Sequence, residues 1–304
     1  MTSLTTQGLH HVTAMVADAQ ANVDFYTRTL GLTMLKATVN FDAPSVWHFY
    51  YGNAAGRPGS VITHFPFSDA GPGKPGTGVA AAAAYAVAPA ALNDWLARLD
   101  AAGIATGYED RMGQTAITFA DPDGMGIEII GRDDVTGDTL ETFHSATLSL
   151  QDSGPTARVL TELLGLTPSG TQGARQRFAM PDGSVIDLLS APDAPRARPG
   201  AGSIHHIAFR ASDEAELAEW QARVAGAGFP VTEVRDRQYF RSIYFREPGG
   251  VLFELATDPP GFAIDEPADA LGRALKLPTW LEGDRAGIAR RLPPVRRPDG
   301  VELP

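Results

Sequence analysis

Two pairs of adjacent histidines are the residues best suited to hold a metal. His10-His11 begins the segment His10-His11-Val12-Thr13, and His205-His206 stands in the parallel context His205-His206-Ile207-Ala208. Neighbouring side chains on a strand point to opposite faces, so at most one histidine of each pair can face a given site. The chain has no cysteine, so any metal must bind to His, Asp or Glu.

Glu254 is the best candidate for a third ligand. It lies between Phe253 and Leu255 on the last strand of the unit that begins with His206. A carboxylate among such apolar side chains requires a partner or a metal. Two histidines and one carboxylate occupy three positions around a metal and leave others open for substrate and oxygen. The predicted ligands are therefore His11, His206 and Glu254.

The elements that must position these residues are four copies of one pattern. A Pro/Gly turn that enters an apolar strand recurs at residues 57–64, 121–128, 180–187 and 247–254. Such turns combine the fixed φ of proline with the tolerance of glycine for positive φ. Upstream of each turn lies an apolar strand and then a helical stretch with apolar residues three or four apart, at 23–30, 92–99, 159–166 and 217–224. Each unit thus reads as strand, helix and several strands.

Aligning the four units indicates which of them keep a metal ligand. The alignment places Ala82 of unit two opposite His206, and Ser145 of unit three opposite His11. His144 is the serious competitor as a ligand, but it aligns with His10. We therefore expect units one and four to share the metal, while units two and three supply scaffold.

Two further histidines are ambiguous or structural. The seventh residue after the start of each turn is His64, Glu128, Asp187 or Glu254. His64 thus holds unit one's version of the Glu254 position, where it could approach the metal or simply end a strand. His48 lies between two large aromatic residues and is interpreted as structural.

This arrangement resembles the vicinal oxygen chelate superfamily, also called the glyoxalase/bleomycin resistance/dioxygenase superfamily. The resemblance implies an α+β fold in which four βαβββ modules pair into two curved mixed sheets that enclose a metal. We divide the chain into an N-terminal module pair at 1–132, a C-terminal module pair at 141–257 and a tail at 258–304.

Three segments are similar to a narrower family, the hydroquinone-type ring-cleaving dioxygenases. They are Gly8 to Thr13, Val231 to Gly250, and the tail motif Leu277-Pro278-Thr279-Trp280-Leu281-Glu282 with Leu292-Pro293-Pro294. The resemblance implies Fe(II) or Mn(II) on the three ligands. It also implies catalytic roles for five residues around them, namely His10, Thr13, His205, Arg237 and Tyr244.

The residue types suit that chemistry. His205, expected to titrate near neutrality, can move protons between substrate and oxygen. Arg237 can stabilise a developing oxyanion, and Tyr244 can donate a hydrogen bond to it. We expect aromatic residues to line a pocket for a flat ring, with Trp47, Tyr239 and Phe253 as candidates. An apolar residue at position 64 would fit the family better than His64.

The leading hypothesis is an extradiol-type dioxygenase that inserts both atoms of O2 into a hydroquinone or related phenol. Two alternatives stay open because one fold hosts many functions. A glyoxalase-like isomerase or thiol transferase would present a fourth metal-facing protein group, for which His64 is the candidate. A protein that sequesters a small aromatic or an antibiotic would need no ligand triad.

Composition excludes several other classes of function. A net charge of −11 and a pI near 5.0 disfavour binding to nucleic acid. The N-terminus does not read as a secretory signal, and the longest uncharged apolar stretch, 78–87, is too short to span a bilayer. We therefore predict a soluble cytoplasmic protein with no membrane partner. The apolar residues from Leu275 to Leu281 need covering, which suggests a homo-oligomer.

Overall fold

The computed structural model describes residues 4–304, and four successive βαβββ modules account for most of them. Module 1 contains β1 (Leu9–Val16), α1 (Ala19–Asp24) continued by a π-helical turn (Phe25–Thr29), β2 (Thr33–Asn40), β3 (Ala43–Gly52) and β4 (Val61–Pro66). Module 2 contains β5 (Val79–Val87), α2 (Leu92–Ala101) preceded by a 3₁₀ turn (Pro89–Ala91), β6 (Gly107–Arg111), β7 (Gln114–Ala120) and β8 (Gly126–Gly131). Module 3 contains β9 (Thr142–Leu150), α3 (Gly154–Arg158) continued by a π-helical turn (Val159–Leu163), β10 (Thr167–Gln172), β11 (Arg175–Ala179) and β12 (Val185–Ser190). Module 4 contains β13 (Ser203–Ala211), α4 (Glu214–Gly226), β14 (Arg235–Asp236), β15 (Phe240–Arg246) and β16 (Leu252–Pro260). The predicted module order is confirmed.

Local sequence explains where the helices form. Asp18 accepts a hydrogen bond from the backbone N–H of Ala21 at 2.9 Å, and Asp213 accepts one from Glu216 at the same distance. A side-chain oxygen at this position satisfies one of the free N–H groups of the first turn. Apolar residues spaced three or four apart then bury one face of each helix, as Trp220 and Val224 do in α4.

The modules form two eight-stranded curved mixed sheets, as predicted. The first sheet has the order β14-β15-β16-β13-β1-β4-β3-β2, and the second has the order β10-β11-β12-β9-β5-β8-β7-β6. β1 pairs with β13 in the first sheet, and β5 pairs with β9 in the second, both in antiparallel orientation. Each of these pairings joins two modules into one sheet. Hydrogen bonding therefore pairs module 1 with module 4 and module 2 with module 3.

We predicted a division into residues 1–132 and 141–257, but each sheet contains strands from both of these segments. Consecutive modules nevertheless meet through the core, where the Tyr85 hydroxyl donates to the Ser60 carbonyl at 3.0 Å and Tyr26 donates to Asp121 at 3.1 Å. Buried residues of all four modules belong to one continuous apolar cluster. The boundaries stay a prediction, and residues 1–3 of the first segment lie outside the described residues.

The last segment packs back onto the first sheet. It contains 3₁₀ turns (Phe262–Ile264, Ala268–Ala270, Glu282–Asp284), α5 (Arg285–Arg291), and a small hairpin of β17 (Val295–Arg296) and β18 (Glu302–Leu303). Its predicted start at residue 258 falls inside β16. Leu275 and Leu277 are buried within this chain, so they no longer argue for a homo-oligomer, which stays a prediction.

No helix among residues 4–304 is long and apolar enough to cross a membrane. The cytoplasmic location stays a prediction.

Candidate metal centre and active site

Three adjacent strands in the middle of the first sheet bring together His11, His206 and Glu254. His11 lies on β1, His206 on β13 and Glu254 on β16, and all three side chains are buried. The Glu254 Oε2 atom is 3.1 Å from His11 Nε2 and 2.8 Å from His206 Nε2. The two Nε2 atoms are 3.2 Å apart. Within the part of the chain that the structure describes, this is the one cluster of its kind with ligand atoms within 4.8 Å of one another.

The position of the His11 proton can be traced through its neighbour. His10 Nε2 is 3.1 Å from the carbonyl oxygen of Thr257, which can only accept, so Nε2 of His10 carries hydrogen. Burial lowers the pKa of His10 to about 3, so the ring is neutral and its Nδ1 is an acceptor. That Nδ1 is 2.9 Å from Nδ1 of His11, which must then donate. Nε2 of His11 is left with a lone pair that points at Glu254.

This arrangement fits a metal ion. Neither oxygen of the buried Glu254 carboxylate has a hydrogen-bond partner among the described residues. Bonds of about 2.1 Å to neighbouring corners of an octahedron place ligand atoms about 3.0 Å apart, which matches the three distances. A cation bound between these atoms would accept lone pairs from the imidazole nitrogens and the carboxylate oxygen, which otherwise repel one another.

The second histidine pair repeats the contact of the first. His205 Nδ1 is 2.7 Å from His206 Nδ1, and the exposed ring of His205 borders the cavity above the triad. Desolvation at the cavity wall and the adjacent His206 lower the pKa of His205 to about 4. The expectation that His205 titrates near neutrality is therefore wrong, and the ring is neutral near pH 7.

Arg237 and Tyr244 lie together on the module 4 side of the cavity. Arg237 Nε donates to the Tyr244 hydroxyl at 3.2 Å, and Nη1 forms an ion pair with Asp42 at 3.1 Å. The Ser242 hydroxyl is 3.1 Å from the same Tyr244 oxygen. If both neighbours donate, the phenol hydrogen of Tyr244 is free to point into the cavity. The ring of Tyr244 is 5.7 Å from that of His206, so this hydroxyl lies near the triad.

Thr13 is the last of the predicted catalytic residues, and it faces the cavity beside His11. Its Oγ1 is 2.8 Å from Oγ1 of Thr63, which is 2.9 Å from Nε2 of His48. The three side chains lie on β1, β4 and β3, so a hydrogen-bonded row crosses the sheet from the triad toward its edge. His48 therefore borders the cavity, a position that its interpretation as structural did not anticipate.

The cavity above the triad has a volume of about 370 Å³. That size falls within the range of small-molecule sites. Its aromatic lining consists of Phe41, His48, Tyr50, Phe65, Phe67, Phe240 and Tyr244.

The prediction that Trp47, Tyr239 and Phe253 line the pocket is wrong. Trp47 stacks on Phe49 in the core and donates to the carbonyl of Pro293. Phe253 is fully buried on the opposite face from its neighbour Glu254. Tyr239 packs behind the cavity wall and donates to Asp265. Strict alternation along β3 and β16 could have excluded the first and third of these residues.

His64 faces away from the cluster of His11, His206 and Glu254. Thr13 pairs with Thr63 across β1 and β4, whereas Ala208, the counterpart of Thr13, pairs with Glu254 across β13 and β16. Thr63 is therefore the equivalent of Glu254, and the alignment that gave this position to His64 is wrong by one residue. The His64 ring packs 4.2 Å from that of Tyr26, and neither of its nitrogens has a partner among the described residues.

The second sheet carries the corresponding positions without a ligand set. Ala82 pairs with Thr147, as His206 pairs with Thr13, so Ala82 stands where His206 does. By the same register Ser145 stands in the place of His11. Both alignments are confirmed. His144 Nε2 is 3.0 Å from Gln114 Oε1, and His144 is not part of the candidate ligand cluster.

Arginines pair with Glu128 and Asp187, the two carboxylates that hold the position of Glu254 in the second sheet. Arg111 forms an ion pair with Glu128, and Arg177 Nε lies 2.8 Å from Asp187 Oδ1. Arg175 also contacts Asp187, at 3.2 Å. Each of these buried carboxylates thus has an arginine as its partner cation.

Comparison with known proteins agrees with the fold described above. The family model described as Glyoxalase/Bleomycin resistance protein/Dioxygenase superfamily matches residues 8–129 and 142–255. The protein named "Putative ring-cleaving dioxygenase MhqO" of Bacillus subtilis strain 168 is 42% identical over 302 residues, with 95% of this chain and 96% of that protein covered. Chlorohydroquinone/hydroquinone 1,2-dioxygenase of Sphingobium indicum is 34% identical over 311 residues, with 94% and 96% covered.

Solved structures agree with this assignment of fold. A crystal structure from Bacillus subtilis strain 168, described as a "putative dioxygenase", has a TM-score of 0.93 at 40% identity and covers 97% of this chain and 99% of its own. Glyoxalase I of Zea mays has a TM-score of 0.64 at 15% identity, with 83% and 92% covered, and shares the fold alone.

Proposed function

The chain belongs to the glyoxalase/bleomycin resistance protein/dioxygenase superfamily, and on this premise we propose that it is a ring-cleaving dioxygenase of the extradiol type. The proposed substrate is a hydroquinone or a related dihydroxylated aromatic, and the proposed centre is Fe(II) or Mn(II) held by His11, His206 and Glu254. Relatives 34–42% identical are named as ring-cleaving or hydroquinone dioxygenases, which supports this class of reaction.

The observation that carries the proposal is a ligand triad open on one side. Two imidazole Nε2 atoms and one carboxylate oxygen converge beneath a cavity, and the cluster contains no fourth His, Asp or Glu among residues 4–304. A divalent iron or manganese ion bound there would supply open coordination positions and the electron-transfer chemistry that lets O2 react with an electron-rich ring. In the overall reaction one ring carbon–carbon bond breaks and both oxygen atoms enter the product, so no external reductant is consumed.

The ligands also suit a substrate that binds as a phenolate. Two neutral histidines and one carboxylate carry one negative charge between them, so a divalent cation keeps one positive charge for an anionic oxygen. His10 and His205 hold the ligand rings by their Nδ1 atoms, and such outer contacts orient the ligands.

Three residues at the cavity wall would manage charge and protons. Arg237 keeps its charge: burial lowers its pKa, but the raising effect of Tyr244 and Asp42 is greater, so it can stabilise oxyanion character on the substrate. The Tyr244 hydroxyl can donate to the same oxygen. His205 is neutral and exposed to the cavity, so it can accept a proton from a substrate hydroxyl.

The structure weakens the case for an isomerase. His64 was the candidate for a fourth metal-facing group, and it lies on the other face of the sheet. Its place is taken by Thr63, whose hydroxyl is engaged by Thr13 and His48. A simple binding protein would not need a buried carboxylate without a hydrogen-bond partner, because that feature costs stability unless a cation is bound.

The proposal is tested by oxygen uptake. Protein loaded with Fe(II) under anaerobic conditions is mixed with aerated buffer and hydroquinones or catechols, and O2 consumption and ring-opened products are measured. His206→Ala should abolish uptake, whereas His144→Ala, on the second sheet, should retain it. Absence of uptake with every phenol by metal-loaded wild-type protein would overturn the proposal.

A further inference from the structure

The two walls of the cavity differ in polarity. The module 4 wall carries Arg237, Tyr244 and His205, whereas the inner module 1 wall is mainly aromatic. His48 is an ionisable side chain set among those aromatic residues. Because a flat ring substrate would lie between the walls, His48 is placed to meet that ring from the module 1 side.

The ring of His48 is held in a defined orientation. Its centroid is 4.1 Å from that of Tyr50 and 4.3 Å from that of Phe65, on the same strand and on the neighbouring one. Nε2 is engaged by Thr63, whose hydroxyl is itself bound to Thr13. With two neighbouring rings packed against it and Nε2 engaged, the His48 ring has little rotational freedom, and Nδ1 is its remaining polar atom.

That remaining edge carries a free hydrogen-bonding group. Nδ1 of His48 has no hydrogen-bond partner among the described residues, and the half-buried ring borders the cavity. Polar groups in such surroundings usually have a partner from protein, water or ligand. A phenolic hydroxyl suits Nδ1 in either tautomer, because it can both donate and accept.

The distance from the triad decides which hydroxyl can be reached. His48 lies on β3, two strands from His11 on β1, and a strand spacing of about 4.8 Å places the two strands roughly 10 Å apart. In a catechol both oxygens lie next to each other at the metal end. In a hydroquinone the second oxygen lies at the opposite end of the ring.

We propose that His48 is a specificity-determining residue, which hydrogen-bonds through Nδ1 to the ring hydroxyl that does not bind the metal. It thereby favours para-dihydroxylated over ortho-dihydroxylated rings. This inference rests on the proposed function, since it assumes that one hydroxyl of the substrate binds at the triad.

The test is anaerobic calorimetric titration of the Fe(II)-loaded protein, which measures binding without turnover. Hydroquinone, phenol and catechol are titrated into the wild type, His48→Leu and His48→Asn. Phenol lacks the distal hydroxyl, so the ratio of hydroquinone to phenol affinity isolates that contact. Phe65→Leu serves as a control that alters the same wall without removing a polar group.

We expect wild type to bind hydroquinone more tightly than phenol by roughly 5- to 10-fold, the effect of one hydrogen bond. His48→Leu should bring this ratio close to one without weakening phenol or catechol. His48→Asn, whose side-chain amide reaches the Nδ1 position, should restore part of it. Phe65→Leu should change the affinities for hydroquinone and phenol by a similar factor.

Two results overturn the inference in distinguishable ways. If wild type binds both phenols and the ratio is the same in His48→Leu, the assignment of His48 is wrong and the proposed function stands. If metal-loaded wild type binds no phenol and consumes no oxygen, both fail.

Discussion

The Nδ1 atoms of His10 and His11 face each other at 2.9 Å, and this contact determines which nitrogen of His11 carries the proton. Thr257 holds the hydrogen of His10 on the far nitrogen, so His11 donates from Nδ1 and keeps Nε2 free. His10 is not one of the three candidate ligands, but it thus prepares the adjacent His11 to bind a cation.

His10→Ala should weaken metal binding, because His11 can then place its hydrogen on Nε2. Loss of such an outer contact typically lowers metal affinity by roughly 10- to 100-fold. Competition between the protein and a chromophoric chelator for Mn(II) measures the change. His144→Ala is the matched control, since His144 holds the equivalent position in module 3. Equal affinities in the two variants would contradict the role of His10.

Arg237→Lys should slow ring cleavage and leave metal affinity unchanged. A lysine keeps the charge but cannot reproduce the guanidinium contact to Tyr244 and the ion pair with Asp42 together. Removing a group that stabilises an oxyanion commonly lowers kcat by roughly 100-fold or more. The control is Arg235→Lys, an exposed neighbour, for which kcat should stay at the wild-type value. A kcat for Arg237→Lys within twofold of wild type would rule out the role.

His64→Leu should keep full metal affinity and raise stability. The substitution removes two buried nitrogens that have no partner among the described residues, and such groups typically cost roughly 1–3 kcal/mol each when unsatisfied. Denaturant unfolding measures the free energy, and chelator competition measures the metal. A tenfold loss of metal affinity would show that His64 acts at the centre after all.

Lys36→Met should destabilise the fold strongly. The Lys36 ammonium is fully buried, lies 2.6 Å from Glu266 and also contacts Asp265, so it fastens the tail to β2. Its removal leaves two carboxylates without their cation, which typically costs about 3–5 kcal/mol. Arg28→Ala breaks an exposed pair with Asp24 and should cost less than about 1 kcal/mol. Similar unfolding free energies for the two variants would disprove the anchoring role.

Because of Asp121, the free energy of unfolding should fall as the pH rises from about 4 to about 6. Burial raises the pKa of this carboxyl to about 6, so between those values the folded state binds more protons than the unfolded state. A difference of this size is worth about 3 kcal/mol. Asp121→Asn should remove that contribution, leaving a stability that depends less steeply on acidity in this range. Unfolding at several pH values tests this, and parallel curves for the two proteins would argue against it.

Much of the centre could be predicted from local patterns. The paired histidines, the acid among apolar residues and the repeated turns identified His11, His206 and Glu254, and the structure brings these three together. The alignments of Ala82 with His206 and of Ser145 with His11 are confirmed by strand register. These inferences succeeded because equivalent residues of repeated modules occupy equivalent places on their strands.

Other features depended on register and on packing between distant segments. The span from the turn to strand β4 is one residue shorter than the span to β16, so counting from the turn assigned His64 to the position of Thr63. Side chains alternate along a strand, so this single residue moves His64 to the opposite face. The aromatic lining was misassigned for a related reason, since Trp47 and Phe253 point into the core.

By itself the sequence determined the four βαβββ modules, the α+β class and the candidate ligands, because these follow from periodicity, turn chemistry and residue type within each module. Only the tertiary structure decided that hydrogen bonding joins module 1 to module 4, that Thr257 orients His10 from the end of the fourth module, and that His48 reaches the cavity. Each of these depends on contacts between residues far apart in the chain, which no local pattern encodes.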